Sequence, residues 1–156
     1  MRKRQMSYSD VHLHIPLTDG IVLVRTTEGI ATNVPHYTCV HSPSGFEFGF
    51  GGSGPADLAL NIAEAVLRQI GYSGNLSEPN YDGNRCFEAA MRMHQNVKWQ
   101  FVAPALQGSE PGSLVYPFSV VAGFVRSELE RQRDEDQRMA RFIGDADDFT
   151  VIGDSQ

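Results

Sequence analysis

The stretch FEFGFGGSGPADLALNIAEAVLRQIG, residues 46–71, decides the fold of this chain. Phe46, Phe48 and Phe50 fall at every second position, so in a strand they would share one face. The next four residues are Gly-Gly-Ser-Gly, residues 51–54, and we call them the elbow. Glycine tolerates positive φ, so the elbow allows the chain to turn sharply. The pattern predicts a strand followed directly by a tight turn.

A helix is predicted immediately after the elbow. Pro55 suits the first turn of a helix, where a missing N–H is harmless. Apolar residues then recur at intervals of three and four from Leu58 to Ile70, which predicts one apolar stripe. Gly71 stands where a helix would end. We expect the stripe to pack on the phenylalanine face of the preceding strand.

Strand patterns and turn signals predict a small sheet before this helix. Asp19-Gly20 and Ser42–Gly45 are turn signals between the candidate strands. Four segments have alternating or β-branched residues: Val11–Ile15, with Val11, Leu13 and Ile15 inward, Ile21–Thr27, Tyr37–His41 and Phe46–Phe50. The prediction is an antiparallel sheet of about four strands.

Two further helices are predicted after residue 71. Asp82 is a candidate cap for a helix from about Gly83 to Asn96, and Val97–Val102 either extends it or forms a short strand. Residues 107–117 are rich in glycine, serine and proline and predict a loop, after which Ser119 is a candidate cap for a third helix. The fold class is therefore α+β: a small antiparallel sheet packed against two or three helices.

Charge is unevenly distributed along the chain. The net charge is −6, and residues 128–156 contain nine acids and four arginines. We expect residues 1–143 to form a single α+β domain and residues 144–156 to form an acidic C-terminal tail. Binding to nucleic acid through phosphates favours a basic face, so this balance disfavours nucleic acid as a partner.

Three features of the sequence predict a cytoplasmic protein. No apolar run approaches the roughly 20 residues that span a membrane, and the basic start lacks a following apolar segment typical of a secretory signal. Cys39 and Cys86 share no metal-binding spacing, so reduced thiols in the cytoplasm are the simplest interpretation. No cofactor is predicted.

The centre of the chain resembles a small domain of unknown function found in phages and other mobile elements. The recurring pattern of that domain is H-S-P-x-G-F-E-(aromatic)-G-(aromatic)-G-G-S-G-P-A-x-L-A-L, and residues 41–60 match it from His41 to Leu60. The family also has Q-x-F-K, for which this chain has Gln95-Asn96-Val97-Lys98, with valine in place of the aromatic residue. The resemblance implies a shared fold and a phage-type origin in a bacterial host. It implies no established activity.

The elbow has two interpretations. At a helix N-terminus, exposed backbone N–H groups and the helix dipole favour phosphate, and Gly51, Gly52, Ser53 and Gly54 are therefore candidate ligand-binding residues. The elbow lacks the Lys-Ser/Thr ending of a P-loop and is not G-x-G-x-x-G. Asp57, in the first helical turn, could itself cap these N–H groups. A purely structural turn is the alternative.

Other residues could complete a ligand site. Arg85, Arg92 and Lys98 are candidate positive charges, and Trp99 or Tyr72 could stack on a base. His12 and His14 are two apart on a strand, but no third ligand can be assigned with His36, His41 or His94, so we predict solvent-facing histidines and no metal. Cys39, Cys86 and Ser53 have no identifiable acid–base partner, and we predict no enzymatic activity.

Three functions remain open from the sequence. The first is a counter-defence protein that sequesters a small phosphate-bearing ligand, such as a nucleotide immune signal, near the elbow. The second is an inhibitor that docks its acidic C-terminal helix and tail on a basic surface of a host protein. The third is a structural phage component. A homodimer is compatible with each of them.

Overall fold

The computed structural model describes the backbone of residues 8–154 and the side chains of residues 8–145. Contacts divide the chain into two compact units, Met1–Val125 and Arg126–Gln156. The first unit contains a four-stranded sheet, two helices and the start of a third, which confirms the α+β fold class. The second unit is the continuation of that third helix.

The sheet is built from strands β1 (Val11–His12), β2 (Ile21–Thr26), β3 (Gly29–Thr32) and β4 (Gly112–Tyr116), in the order β1-β3-β2-β4. The central strand β2 pairs antiparallel with β3 and with β4. The short β1 runs parallel to β3, so the sheet is mixed and the prediction of a wholly antiparallel sheet is wrong. Ile21 and Leu23 of β2 are fully buried in the core.

Two of the predicted strands are not strands, and the prediction for residues 107–117 is also wrong. Tyr37–His41 and Phe46–Phe50 are irregular. The strands that pair with β2 are instead β3 and β4, and β4 lies within the segment predicted to be a loop. Val11–Ile15 is a strand over only two residues, and Val11 and Ile15, predicted to point inward, are exposed.

Backbone contacts explain why Phe46–Phe50 is irregular. The Phe46 N–H donates to Oδ1 of Asp10, and the Gly49 N–H donates to the Val102 carbonyl. Gly49 has φ of +91°, which is incompatible with a regular strand. Phe46 and Phe48 are buried as predicted, but Phe50 is 48% exposed.

The helix after the elbow is present as predicted. Helix α1 (Ser53–Gln69) begins after Gly52, and Gly71 follows its end with φ of +78°. Every residue from Gly54 to Leu67 is buried, so α1 is a central helix covered on all sides rather than one with a single apolar stripe. The buried residues of α1 include polar ones, and their side chains position the loops described below.

The second helix begins later than predicted. Helix α2 (Glu88–Val97) follows Phe87, which makes no side-chain cap, and Asp82 accepts hydrogen bonds from Asn84 instead of capping the helix. A π-helical turn, Lys98–Val102, continues α2, which agrees with the first of the two alternatives for this segment.

The third helix, α3, is Phe118–Asp154, beginning one residue before the predicted cap Ser119. Val121, Ala122 and Val125 near its start are buried. The backbone of the predicted tail is helical through Asp154, but the side chains after Asp145 lie outside the described residues. The boundary at residue 143 therefore stays a prediction. In the described residues, no helix is both long and apolar enough to cross a membrane.

Candidate ligand-binding site

A row of polar side chains along α1 holds the loop before it. The buried Asn61 accepts the N–H groups of Tyr37 and Thr38 on Oδ1, at 2.7 and 3.1 Å. One turn earlier, the buried Asp57 accepts the N–H groups of residues 40, 41 and 42. These bonds replace the ladder of a strand, so the segment predicted as Tyr37–His41 follows α1 as an irregular loop.

The same row continues with an ion pair between Glu64 and Arg68. Glu64, 1% exposed, accepts the Arg68 Nε–H on Oε2 at 2.9 Å and the Phe87 N–H on Oε1 at 2.8 Å. The Arg68 guanidinium lies 4.0 Å from the centre of the Tyr37 ring. The Glu64 carboxylate and the Tyr37 ring fix the guanidinium at its Nε and its face. Among the described residues its two terminal nitrogens make no hydrogen bond, so they can act as donors to a ligand.

Arg68 lines an open cavity of about 540 Å³ together with His36, Tyr37, Gly83, Asn84 and Arg85. The lining residue Asn84 is held in place, because Asp82 accepts both its backbone and its side-chain N–H. The Arg85 side chain is exposed. A volume of this size is within the range of sites for small molecules. The two arginines among its lining residues make the cavity suitable for an anion.

His36 closes one side of the cavity and is held on both faces. Its ring stacks between Tyr8 and Phe46, with centroids 3.7 and 3.6 Å away. Nε2 of His36 lies 2.8 Å from Oδ2 of Asp10. Burial acts to raise the pKa of Asp10, but hydrogen bonds from His36 and the Phe46 N–H outweigh it, and the pKa is lowered. The imidazole is therefore rigidly placed beside the arginines.

The elbow is partly covered by its own chain. A Cβ added at Gly51 would lie 2.5 Å from the Trp99 ring, so the indole packs directly on this glycine. A Cβ at Gly54 would lie 2.9 Å from Oε1 of Glu47, whose carboxylate thus lies beside the N-terminus of α1. Gly52 is the N-cap residue and Ser53 the exposed first residue of α1. A protein carboxylate here disfavours an incoming phosphate.

The sequence-predicted ligand residues fall into separate places. Lys98 lies 4.6 Å from the Trp99 ring centre, so Lys98, Trp99 and Gly51 are together, and Trp99 is 62% exposed. Arg85 lines the cavity instead.

Arg92 and Tyr72 are the remaining candidates for the charge and the stacking face. Arg92 is exposed on α2, and the Tyr72 ring packs edge-on against Phe87. The interpretation of Asp57 as a cap of α1 is wrong, because its carboxylate binds residues 40–42.

Sequence reasoning missed Arg68, Tyr37, His36 and Asn84 as cavity residues. One signal could have indicated Arg68. Asp57, Asn61, Glu64 and Arg68 recur at intervals of four, three and four, which places a polar row on one face of an otherwise apolar helix. A polar row on a buried helix must find partners, and these partners are the loops that form the cavity.

The histidines and cysteines differ in environment. His12 and His14 are exposed as predicted, whereas His94 is buried and its pKa is lowered by that burial. Burial and the nearby Asp57 carboxylate raise the pKa of Cys39 to about 12. Burial also raises the pKa of Cys86. Both thiols are therefore neutral near pH 7 and poor nucleophiles.

Comparison with protein families gives a match to part of the chain. Residues 17–78 match a family of unknown function (DUF6166). This segment contains β2, β3, the elbow and α1, and with them Tyr37 and Arg68 of the cavity. Searches of curated proteins and of solved structures gave no significant match.

Proposed function

We propose that this protein binds and sequesters a small phosphate-bearing ligand, such as a nucleotide, in the cavity between Arg68 and Arg85. The observation that carries the proposal is the pair of arginines on one open cavity of about 540 Å³. Arginine presents planar, fixed donors that match phosphate oxygens, and it keeps its charge at any physiological pH.

The environment of Arg68 supports this proposal. Glu64 occupies only the Nε–H, and the Tyr37 ring occupies one face of the guanidinium. A guanidinium held in this way loses little conformational entropy when a ligand binds, which favours affinity. Arg85, on the exposed turn after Asn84, supplies a second charge that can close on the ligand.

The cavity is a better candidate than the elbow. Trp99 covers Gly51, and the Glu47 carboxylate lies beside Gly54, so an anion at the elbow would meet an acidic side chain. Lys98 is directed over the Trp99 ring, which places its ammonium group on the indole face. We therefore move the proposed ligand from the elbow to the cavity and keep Arg85 from the residues predicted by sequence.

The resemblance of residues 41–60 to the mobile-element domain implies a phage-type origin, and with that origin we propose a role in counter-defence. A protein that binds a nucleotide signal without converting it would lower the free concentration of that signal in the bacterial host. We propose this as the biological context of the cavity.

The test is a thermal-shift screen of the purified chain against mono-, di- and cyclic nucleotides, followed by three variants. A ligand at 100 times its dissociation constant stabilises the folded state by about 2.7 kcal/mol. We expect Arg85→Gln to abolish the shift. Arg92→Gln, which changes an exposed arginine outside the cavity, is the matched control and should retain it.

Ser53→Trp distinguishes the cavity from the elbow. This variant fills the exposed start of α1 and should leave the shift unchanged. Loss of the shift in Ser53→Trp but not in Arg85→Gln would place the ligand at the elbow and reject the cavity. Absence of a shift with every nucleotide would count against both.

One observation favours a second function, the inhibition of a basic host protein by α3. In the second unit Met139, Phe142 and Ile143 are exposed, Phe142 by 69%, at helical spacing. They lie within residues 128–156, which contain nine acids and four arginines. An amphipathic helix with apolar anchors at i, i+3 and i+4 is a common ligand of apolar grooves. Arg138 and Arg141 lie next to these anchors in the sequence, so the preference for a basic partner comes from the net negative charge of residues 128–156 as a whole.

The second function is tested with Phe142→Ala and a control, Arg133→Ala, on the same helix. A captured host protein must be purified and bind the chain directly. Its binding should weaken at least tenfold in Phe142→Ala and as salt is raised, while Arg133→Ala should not weaken it. A partner that binds both variants equally well does not use this surface.

A further inference from the structure

Two histidines from distant parts of the chain bring their Nε2 atoms together. His41, in the loop held by Asp57, and His94, on α2, have Nε2 atoms 3.1 Å apart and ring centroids 5.2 Å apart. Two nitrogens bound to one metal ion at about 2.0–2.1 Å lie roughly 3.3 Å apart in tetrahedral geometry and about 2.9 Å apart as neighbouring octahedral ligands. The observed separation lies between these values.

The second nitrogen of His94 is arranged as in metal-binding histidines. Nδ1 of His94 lies 2.6 Å from the Met91 carbonyl and donates its hydrogen there, so Nε2 carries the lone pair. His94 is buried, which disfavours the imidazolium form and keeps that lone pair available. In the structure as it stands, His41 Nε2–H is the matching donor. Transfer of that hydrogen to Nδ1 of the exposed His41 ring would free a second lone pair without changing the charge.

Gln95 provides a third polar group at the same point. Its side-chain amide nitrogen lies 3.2 Å from Nε2 of His94. Rotation of the amide by half a turn would place the oxygen there instead, and an amide oxygen is an acceptable metal ligand. Within the described residues, no group of three His, Cys, Asp or Glu side chains could hold a metal. A site here must therefore combine two imidazoles with Gln95 or water.

We infer that His41 and His94 form a binding site for a divalent transition-metal ion, with Gln95 and water completing the coordination. Imidazole ligands suit zinc, copper and nickel rather than magnesium or calcium. The site joins the loop of residues 40–42 to α2, so the bound ion would cross-link two elements of the first unit. This inference does not depend on the ligand proposed for the arginine cavity.

The test is calorimetric titration of the full chain, without a histidine tag, with Zn²⁺. We expect one ion per chain and a loss of affinity of at least tenfold in His41→Ala. His41 is exposed, so this variant should fold. The double variant His12→Ala/His14→Ala is the matched control, because these rings are also close, with centroids 5.0 Å apart, and it should bind Zn²⁺ as the unchanged chain does.

Gln95 and the choice of ion give further readouts. Gln95→Glu, which introduces a carboxylate ligand, should bind Zn²⁺ more tightly, and Gln95→Ala more weakly. Mg²⁺ should give no binding heat. The inference is overturned if Zn²⁺ does not bind, if His41→Ala binds it unchanged, or if Mg²⁺ binds equally well; the pair is then an ordinary hydrogen bond between histidines.

Discussion

At the residue scale, single buried polar side chains fix the conformation of the loops. Asn61 is fully buried and makes four hydrogen bonds: from the N–H groups of Tyr37 and Thr38, and to the carbonyl groups of Thr38 and Asp57. Its amide therefore matches both donors and acceptors of a loop that has no strand partner. No apolar side chain of similar size could do this.

Replacing this amide should be costly. Asn61→Ala leaves buried backbone groups without partners, so we expect the free energy of unfolding to fall by about 3 kcal/mol. Urea denaturation measures this change. Asn96→Ala, at an exposed position on α2, is the control and should change stability by less than about 0.5 kcal/mol. Equal effects of the two substitutions would mean that the loop does not depend on Asn61.

Asp10 should contribute a pH-dependent part of the stability. Its pKa in the folded chain is lowered from the ordinary value of 3.8, because hydrogen bonds from His36 and the Phe46 N–H outweigh burial. The unfolded chain therefore binds the proton more readily, and the contribution is complete above pH 3.8 and lost as the pH falls below it. The difference in unfolding free energy between the unchanged chain and Asp10→Asn should narrow from pH 5 to pH 3. A constant difference would contradict this account.

At the scale of elements, α1 owes its position to packing and its ends to local signals. All residues from Gly54 to Leu67 are buried, so tertiary packing surrounds the helix. Its C-terminal end depends on Gly71, which has φ of +78° with no atom within 4 Å of an added Cβ. The requirement for glycine there is conformational and not steric.

Replacing either of two glycines by alanine should change the stability of the chain, in opposite directions at the two positions. Gly71→Ala should destabilise the chain by about 1 kcal/mol, since a side chain disfavours positive φ. Gly123 lies inside α3, is exposed and has nothing within 4 Å of an added Cβ, so Gly123→Ala should stabilise by about 0.7 kcal/mol. Thermal unfolding of both variants checks the pair. A change of the same sign in both would refute it.

At the scale of the whole molecule, one side chain of the sheet connects distant loops. Arg25 of β2 donates from Nη1 to the carbonyl groups of Leu106 and Glu110, at 2.6 and 3.3 Å, and from Nη2 to that of Phe48 at 3.2 Å. Its guanidinium also lies 4.8 Å from the Phe48 ring centre. One side chain thus joins the sheet, the segment before the elbow and the loop before β4.

Arg25→Ala should lower the free energy of unfolding by about 2 kcal/mol, because three carbonyl groups lose a shared donor. Arg25→Lys should restore less than half of this, since an ammonium group cannot reproduce the planar fork. Arg141 is exposed in the second unit, so Arg141→Ala is the control for loss of an arginine and should change the free energy of unfolding little. Urea denaturation of the three variants tests the connection. Full rescue by lysine would show that charge alone is sufficient.

Local patterns in the sequence determined α1, the end of that helix and the α+β class. Pro55 and Gly71 act through backbone conformation within a few residues, so their effect can be predicted without the rest of the chain. The elbow glycines do not adopt the positive φ that the sequence suggested; Gly51 and Gly54 instead allow the close approach of Trp99 and Glu47. The strand predicted over Ile21–Thr27 is observed over Ile21–Thr26, because its β-branched residues are typical of a buried central strand.

Tertiary structure decided the strand partners and the cavity. Tyr37–His41 has a strand pattern, but Asn61 and Asp57 take its N–H groups, while Gly112–Tyr116 pairs with β2 despite its turn-like residues. Arg68 and Arg85 are distant in sequence and meet at one cavity because the loops follow the polar row on α1. Hydrogen-bond partners far apart in the chain compete with local preference, and only the folded arrangement determines which of them succeeds.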